Sequence, residues 1–271
     1  PHAIASDWSL NGQITPALRA FMHALAFENQ KDMTVSPSLA LEPRLVGHLS
    51  SGPLYRVTLA PFLRWDGDDD RRTYMDLREA SLILRGGGWD LTLGREVRFW
   101  GVAESWNPVD IINQTNLAES PENGDKLGQL MINLNLLTDW GSLEFYALPE
   151  FRERRFPGSE ARLGGRYPVF HKDSDYVGEA GDGSLDWAIR YSQAIGRLDI
   201  GISHFRGTGR EPRFRARPLP ERRSALIPVD ELIEQTGLEL RFTQDAWQWR
   251  MGLMGRNGFQ AYSLAGVGGI E

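Results

Sequence analysis

The sequence predicts an all-β fold, a transmembrane antiparallel up-and-down β-barrel, and three observations lead to this prediction. Apolar and polar residues alternate along many stretches, and a period of two gives each set its own face of a strand. The polar face is charged. Long and short connections alternate along the chain, which is typical of bacterial outer-membrane barrels with short periplasmic turns and longer extracellular loops.

Composition narrows the classes to which the protein can belong. No stretch comes near the roughly 18 consecutive apolar residues of a transmembrane helix, whereas barrel strands need only alternation. The net charge of -6 argues against a nucleic-acid partner, and the absence of cysteine excludes disulfides and thiolate metal sites. The chain starts at Pro1 rather than Met and shows no charged n-region or apolar h-region, as expected where a signal peptide has been removed or was not included, and residues 262–271 read as a strand in progress. We therefore expect one barrel domain, residues 1–271, that is incomplete at its C-terminus.

The N-terminal half is divided into five predicted strands, at residues 8–25, 35–49, 55–66, 73–85 and 89–99. In the first, Pro16 interrupts the alternation, and a helix over residues 16–27 is the alternative. The second and third form a hairpin around the turn at residues 50–53. In the fifth, the odd positions from Leu91 to Phe99 are apolar except Arg95, which stands beside Gly94 and predicts a bulge.

The C-terminal half adds predicted strands at residues 130–136, 143–152, 185–192, 198–203, 238–242 and 247–253, and a last strand from Phe259. We therefore expect about twelve strands, although the intact barrel can hold more. Trp89, Trp140 and Trp247 all lie at short turns, where an interfacial aromatic girdle requires them.

The charged face supplies the candidate site residues. If the apolar face meets lipid, the charged face lines an aqueous lumen, in which arginine rings favour anions and Arg–Glu neighbours brace the wall. The pore-lining and selectivity candidates are Arg44, Arg56, Arg64, Glu96, Arg98, Glu144, Arg152, Arg190, Glu239, Arg241 and Arg250. If the apolar face is instead a soluble core, the same charges face solvent, as in ordinary antiparallel sheets.

A long connection, residues 101–126, is too apolar for a loop in water. Its constriction candidates are Trp106, Asn107, Pro108 and Asp110, and Val109 and the two isoleucines after Asp110 add apolar surface. We predict that this loop folds into the barrel and narrows the pore, so that deleting residues 107–122 raises conductance.

A second long connection, residues 206–229, is rich in arginine, with Arg206, Arg210, Arg213, Arg215, Arg217, Arg222 and Arg223. Guanidinium groups bind carboxylates and phosphates, so the loop could attract anionic solutes or lipopolysaccharide phosphates. A solvated loop whose charges only keep it in water is the alternative.

Catalytic and metal signals are weak, and we predict no enzyme activity, cofactor or metal. Asp66, Asp68 and Asp70 have the spacing that opens a calcium loop, but Arg71 and Leu77 replace the required Gly and Glu, which favours an acidic surface loop. The histidines have no ligand spacing, and no nucleophile-elbow or phosphate-loop motif occurs. An outer-membrane barrel enzyme and a soluble or surface-attached all-β binding or structural protein remain alternatives.

Short motifs resemble those of a known group of barrels. They are Leu77-Arg78-Glu79-Ala80, Leu93-Gly94-Arg95-Glu96, Trp100-Gly101, Asn107-Pro108-Val109-Asp110 and Phe151-Arg152-Glu153-Arg154. On these residues the chain resembles uncharacterised proteobacterial outer-membrane barrels that are distantly similar to the alginate-export porin and the DUF1302 family. Glu96 stands where glutamine is common in that group. The resemblance implies an outer-membrane location, lipid and lipopolysaccharide as surroundings, and passive transport of a small polar or anionic solute.

Overall fold

The computed structural model describes residues 6–49, 54–102, 107–119, 125–181, 183–220, 224–259 and 261–271. Its strands are β1 (Ser6–Ala20), β2 (Val35–Leu49), β3 (Leu54–Asp66), β4 (Tyr74–Gly86), β5 (Trp89–Glu96), β6 (Thr115–Asn116), β7 (Asp125–Lys126), β8 (Gln129–Thr138), β9 (Gly141–Leu148), β10 (Asp175–Val177), β11 (Asp186–Ile195), β12 (Leu198–Thr208), β13 (Arg213–Pro218), β14 (Ser224–Gln244), β15 (Trp247–Gly258) and β16 (Ala261–Ile270). A short 3-10 helix covers His171–Asp173. No helix within the described ranges is long and apolar enough to cross a membrane.

The long strands form one antiparallel sheet in which neighbours in sequence are neighbours in space. The order is β1-β2-β3-β4-β5-β8-β9-β11-β12-β14-β15-β16. β10 pairs parallel with β14, β13 pairs antiparallel with the first residues of β14, and β6 and β7 form a separate pair. Within the described part of the chain no pairing joins β1 to β16, so these two strands are the edges of the sheet. The all-β antiparallel prediction is therefore confirmed.

The two faces of the sheet differ in exposure in the opposite sense to a soluble protein. Apolar side chains on one face are exposed, with Leu10 at 74% and Leu63 at 41%, whereas Thr58 and Glu239 on the other face are each 2% exposed. An ordinary soluble sheet buries its apolar face. The burial of the polar face comes from the long connections, which lie against it.

The largest buried apolar cluster lies on this polar face. The connection after β5 contributes Trp100, Ile111 and Ile112 to this cluster. The strands contribute side chains from the polar face of the sheet: Met131, Tyr146, Leu148, Ala188, Phe205 and Ile233. The rings of Trp100 and Tyr146 meet edge to face with centroids 5.4 Å apart. Apolar contacts thus hold the connection against a face of the sheet that is otherwise polar.

Several boundaries differ from the prediction. Residues 16–20 continue β1 rather than form a helix, because Pro16 stands opposite Leu39 in a regular antiparallel pairing. β5 ends at Glu96, before Val97 and Phe99, and β9 ends at Leu148, because the chain leaves the sheet there. The predicted turn at residues 50–53 lies outside the described residues.

The largest difference concerns residues 206–229, which are not one loop. β12 continues to Thr208, β13 covers Arg213–Pro218, and β14 begins at Ser224. β14 therefore extends well past the neighbouring strands. Its first residues form a small sheet with β13 and β10 at the end of the molecule where the long connections lie.

Candidate functional site

The inward face of the sheet carries rows of ion pairs, which we call the charged wall. All the strand-borne candidates lie on it. Its pairs, with nitrogen–oxygen distances, are Arg44–Glu79 at 2.6 Å, Arg78–Glu42 at 3.0 Å, Arg56–Glu96 at 3.5 Å, Arg98–Glu96 at 2.8 Å, Arg190–Glu144 at 3.6 Å, Arg190–Glu239 at 2.5 Å, Arg241–Asp199 at 2.6 Å and Arg250–Glu271 at 2.7 Å. Most of them cross between strands, as the alternation predicts.

Glu96 is the centre of the pairs on the first strands. It is 5% exposed, and its carboxylate receives Arg56 from β3, Arg98 from the chain just past β5 and the hydroxyl of Ser81 from β4 at 2.7 Å. Arg98 also donates to the hydroxyl of Thr92. Arg98 was expected on a strand, but it acts from the start of the following connection.

Arg190 plays the same part on the later strands. Its guanidinium lies between Glu144 of β9 and Glu239 of β14, and its carbon Cζ is 5.9 Å from the centre of the Trp100 ring. A side chain at Gly201 would strike the Glu239 carboxylate at 2.5 Å. Gly201 of β12, between β11 and β14, therefore leaves the space in which this bridge forms.

The candidates differ in how accessible they are. The side chains of Arg44 and Arg241 are each 46% exposed, whereas those of Arg190 and Arg64 are 19% and 14% exposed. Arg64 pairs with Glu119 at 3.0 Å, and Arg152 pairs with Asp76 at 2.9 Å from a connection rather than from the predicted strand. The accessible cations are therefore few.

The connection after β5 lies against the charged wall, and we call residues 107–119 the inner loop. The side-chain amide of Gln235 donates to the carbonyl oxygens of Pro108 at 3.2 Å and Val109 at 3.3 Å. Val109 is fully buried, and a side chain at Gly237 would strike its Cγ1 atom at 2.5 Å. Val109 therefore packs directly against the backbone of Gly237, where there is no room for a side chain. Trp106 lies outside the described residues.

Polar contacts of Asp110 and Asn113 fix the middle of the inner loop. Asn113 is fully buried, donates to the carbonyls of Glu96 and Leu127, both at 2.9 Å, and accepts the Arg98 amide at 2.8 Å. The Asp110 carboxylate meets the Lys126 ammonium at 3.2 Å. Burial raises the pKa of Asp110, although Lys126 acts in the opposite direction.

The Asn107 side chain turns the start of the loop back on the strand end. Its amide donates to the carbonyl of Trp100, and its oxygen accepts the amide of Val109 at 3.2 Å. Gly101 has φ +117°, and an added Cβ would overlap the Asn107 side chain. Gly101 and Asn107 are therefore in close contact, for which Gly101 has to lack a side chain.

A buried ion pair that the sequence did not reveal locks the inner loop to β11 and β12. The Arg210 guanidinium is 2.9 Å from the Asp186 carboxylate and donates to the carbonyls of Thr208 at 3.0 Å and Ile112 at 3.3 Å. The side chains of Arg210 and Asp186 are 3% and 1% exposed. Burial lowers the pKa of Arg210, and Asp186 acts in the opposite direction.

The arginines of residues 206–229 lie in different environments. Arg213, Arg215 and Arg217 lie on exposed β13, and two of them pair with carboxylates: Arg215 with Asp175, and Arg217 with Asp173 at 2.8 Å. Arg206 is on the outward face of β12. Arg222 and Arg223 lie outside the described residues. The predicted anion-attracting loop is therefore a partly neutralised hairpin.

Most of the acidic turn between β3 and β4 is buried, although it was expected on the surface; Asp70 is exposed, as expected. Asp66, Asp68 and Asp69 are 5%, 2% and 3% exposed, because residues 158–162 cover them. The amide of Gly158 donates to Asp69 at 3.0 Å, and that of Arg162 donates to Asp68 at 2.8 Å. Within the described ranges no group of three or more His, Asp or Glu side chains could hold a metal ion.

Comparisons with known proteins give little. No family model and no curated protein matches the chain. Among solved structures, the chain is similar to OmpT, an outer membrane protein of Vibrio cholerae folded in vitro and seen in its trimer form. The identity is 10% over 98% of this chain and 84% of that one, and the TM-score is 0.33. A likeness at this level adds nothing to the sheet described above, and the family resemblance drawn from the motifs stays a prediction.

Proposed function

We propose that the chain forms the wall of a β-barrel in the bacterial outer membrane, with the charged wall lining a channel for passive diffusion of a small polar or anionic solute. The inverted exposure of the sheet carries this proposal. Apolar side chains such as Leu10, Ile14 and Leu18 are exposed at 74%, 71% and 72% along one strand, which water disfavours and hydrocarbon accepts. The motif resemblance independently implies the same location.

The height of the apolar face suits a membrane. On β3 the outward residues run from Tyr55 to Trp65. The ten steps between these two residues, at ~3.3 Å each and tilted by ~40°, rise by about 25 Å, which is the height of the apolar band of outer-membrane barrels.

Aromatic residues border the band at both ends. Near the short turns, Trp8, Trp140, Trp247 and Trp249 are 51%, 55%, 61% and 49% exposed. Near the long connections, Trp65, Phe99 and Trp187 are 53%, 60% and 41% exposed. Tryptophan prefers the headgroup level, where one end of the ring meets apolar chains and the other meets water.

The charged wall supports a polar passage rather than a strongly selective one. Its arginines are paired with carboxylates, and any preference for anions rests on Arg44 and Arg241, which have the most exposed arginine side chains of the charged wall, at 46% each. The inner loop occupies part of the space in front of the wall. It supports a constricted pore, in which deletion of residues 107–122 increases conductance.

Membrane insertion and conduction are tested separately. The full chain, refolded into detergent micelles, should migrate differently in gels before and after heating, as membrane barrels do; identical mobility would contradict the barrel. Single-channel recording in planar bilayers under a salt gradient should then give steps whose reversal potential shifts toward cation preference in the Arg44→Gln and Arg241→Gln variants. Arg215→Gln, on the exposed β13, is the matched control and should leave it unchanged. A folded barrel without conductance would refute the channel.

A further inference from the structure

The apolar outward face is interrupted at one place on β12 and β14. His204 and Arg206 of β12 stand opposite Thr236 and Glu234 of β14, and we call these four residues the outer polar patch. The His204 Nδ1 and Thr236 Oγ1 atoms are 2.9 Å apart. Arg206 and Glu234 are 3.6 Å apart, with side chains 57% and 48% exposed, so the guanidinium keeps donors free.

The patch lies at the level of the aromatic border. Trp187 pairs with Arg206 across β11 and β12, and its ring centre is 5.5 Å from that of His204. Because Trp187 belongs to the border near the long connections, the patch is expected at the depth of lipid headgroups rather than of acyl chains.

Depressions continue from the patch in both directions along the outer face. Toward the short turns lies an open apolar groove of about 680 Å³, lined by Ile202, Leu238, Leu253, Tyr262 and Leu264, with Thr236 at its border. Toward the long connections lies a polar recess of about 550 Å³, lined by Arg206, Trp187, Ser184 and Glu179. The Arg206 guanidinium therefore lies between the apolar groove and the polar recess.

We propose that this surface binds one phosphate-bearing lipid of the outer leaflet, with a phosphate on Arg206, polar headgroup atoms in the recess and an acyl chain in the groove. The inference rests on the proposed membrane insertion. Arginine binds phosphate through parallel charge-assisted hydrogen bonds. The hydroxyl of Thr236, the His204 ring and the Glu234 carboxylate can meet the hydroxyl or amine groups that accompany a phosphate in such headgroups.

The order of the three surfaces, from polar recess through outer polar patch to apolar groove, favours a lipid over a second copy of the chain. A lipid changes from charged to apolar along its length in the same order as recess, patch and groove. An interface between copies needs a contiguous surface of roughly 800 Å² per partner, and it buries charges at its centre only when they are fully paired. Arg206 and Glu234, half exposed and loosely paired, do not meet that requirement.

Native mass spectrometry of the refolded full chain in detergent, titrated with bisphosphorylated lipid A, tests the inference. The unmodified chain should retain one lipid A, and Arg206→Gln should weaken retention about tenfold through loss of the charge-assisted bonds. Leu238→Trp, which fills the groove without changing charge, should also weaken it. Arg215→Gln, which removes an exposed arginine far from the groove, should not.

Three outcomes would overturn the inference. The proposed phosphate site would be ruled out if Arg206→Gln retained lipid A as well as the unmodified chain does. It would also be ruled out if the unmodified chain retained a galactosyl diacylglycerol, which lacks phosphate, equally well. Oligomers that form without lipid and dissociate in Arg206→Gln would assign the patch to a second copy. Gel mobility before and after heating is recorded for every variant, so that loss of the barrel itself is distinguished from loss of the lipid.

Discussion

At the scale of single residues, Arg210 is the side chain whose loss should be felt most. It is 3% exposed and joins Asp186, the end of β12 and the inner loop through one guanidinium. Removing one partner of a buried ion pair leaves the other charge without compensation, which costs about 3–5 kcal/mol. Arg210→Met should therefore lower the free energy of unfolding by about that amount, measured by urea denaturation of the refolded protein in detergent.

A double variant separates the lost pair from lost packing. Asp186→Asn combined with Arg210→Met removes both charges and should recover part of the stability, because no carboxylate is left buried alone. Arg217→Met, whose pair with Asp173 is exposed, should change stability by less than about 1 kcal/mol. Equal effects of Arg210→Met and Arg217→Met would contradict the role given to the buried pair.

His171 should make the outer connections sensitive to acid. Burial, reinforced by the charges of Arg71 and Arg155, lowers its pKa from 6.5 to about 4. A depressed pKa means that its contribution to stability is present above pH 6.5 and is lost as the pH falls from 6.5 toward 4. Limited proteolysis of the connection should accelerate across that window. The rate at which the His171→Gln variant is cleaved should depend less on pH. An identical pH dependence of the cleavage rate would exclude His171 as the cause.

Residue identity alone could not have marked these positions. Arg44 and Arg190 could be assigned to the inward face because alternation fixes parity along a strand. Arg210 follows the end of a strand, where parity no longer applies, and its burial depends on a carboxylate 24 residues earlier in the chain. Asp68 was expected in solvent for a similar reason, because Arg162, whose amide donates to it, is distant in sequence.

At the scale of elements, Gly237 controls where the inner loop lies. A side chain there would meet the Val109 Cγ1 atom at 2.5 Å and the Ser203 hydroxyl at 2.8 Å. Gly237→Val should therefore displace the tip of the loop from the wall while leaving the strand itself regular. We expect larger single-channel conductance than in the unmodified chain.

The control for this experiment is another inward glycine. Gly269 of β16 also lies on the inward face, and an added Cβ there meets no atom within 4 Å. Gly269→Val should leave the conductance close to that of the unmodified chain. If both variants raise conductance equally, the effect is general loosening of the sheet; if neither does, the inner loop does not restrict the pore.

Elements were predictable where alternation stands between clear turns. β2 has the bounds that the pattern indicates, and β3, β4 and β12 differ from it mainly at their ends. The sequence predicts a loop where β13 and the first part of β14 lie, because prolines and many arginines reduce strand propensity. The signal was nonetheless present, since Arg213, Arg215 and Arg217 occupy one parity and Phe214 and Ala216 the other. The arginines of residues 213–217 therefore form the charged face of an exposed hairpin rather than a solvated loop.

At the scale of the whole molecule, alternation fixes two faces but not which one is buried. A soluble sheet and a membrane wall have the same period, and the exposed Leu63 and buried Glu239 of the folded chain are the observations that support the proposed membrane wall. The long connections decide the matter physically. They place Trp100, Val109 and Ile112 against the charged wall, so the charged face is covered by the chain itself and the apolar face stays exposed, as the proposed membrane insertion requires.

The two edges of the sheet make the last prediction. In hydrocarbon every unpaired backbone amide and carbonyl costs several kcal/mol, so β1 and β16 must find partners in a bilayer. Because twelve strands lie on the path, β1 and β16 run antiparallel and can pair with one another. The chain has no cysteine, so Asn11→Cys with Val267→Cys, both inward, gives a clean test in liposomes with a flexible bismaleimide. We expect an intramolecular cross-link comparable to that of Ser142→Cys with Ser192→Cys, which are paired on β9 and β11. Cross-linked dimers in place of the intramolecular product would mean that the edges pair between chains, and the expected pairing of β1 with β16 within one chain would be wrong.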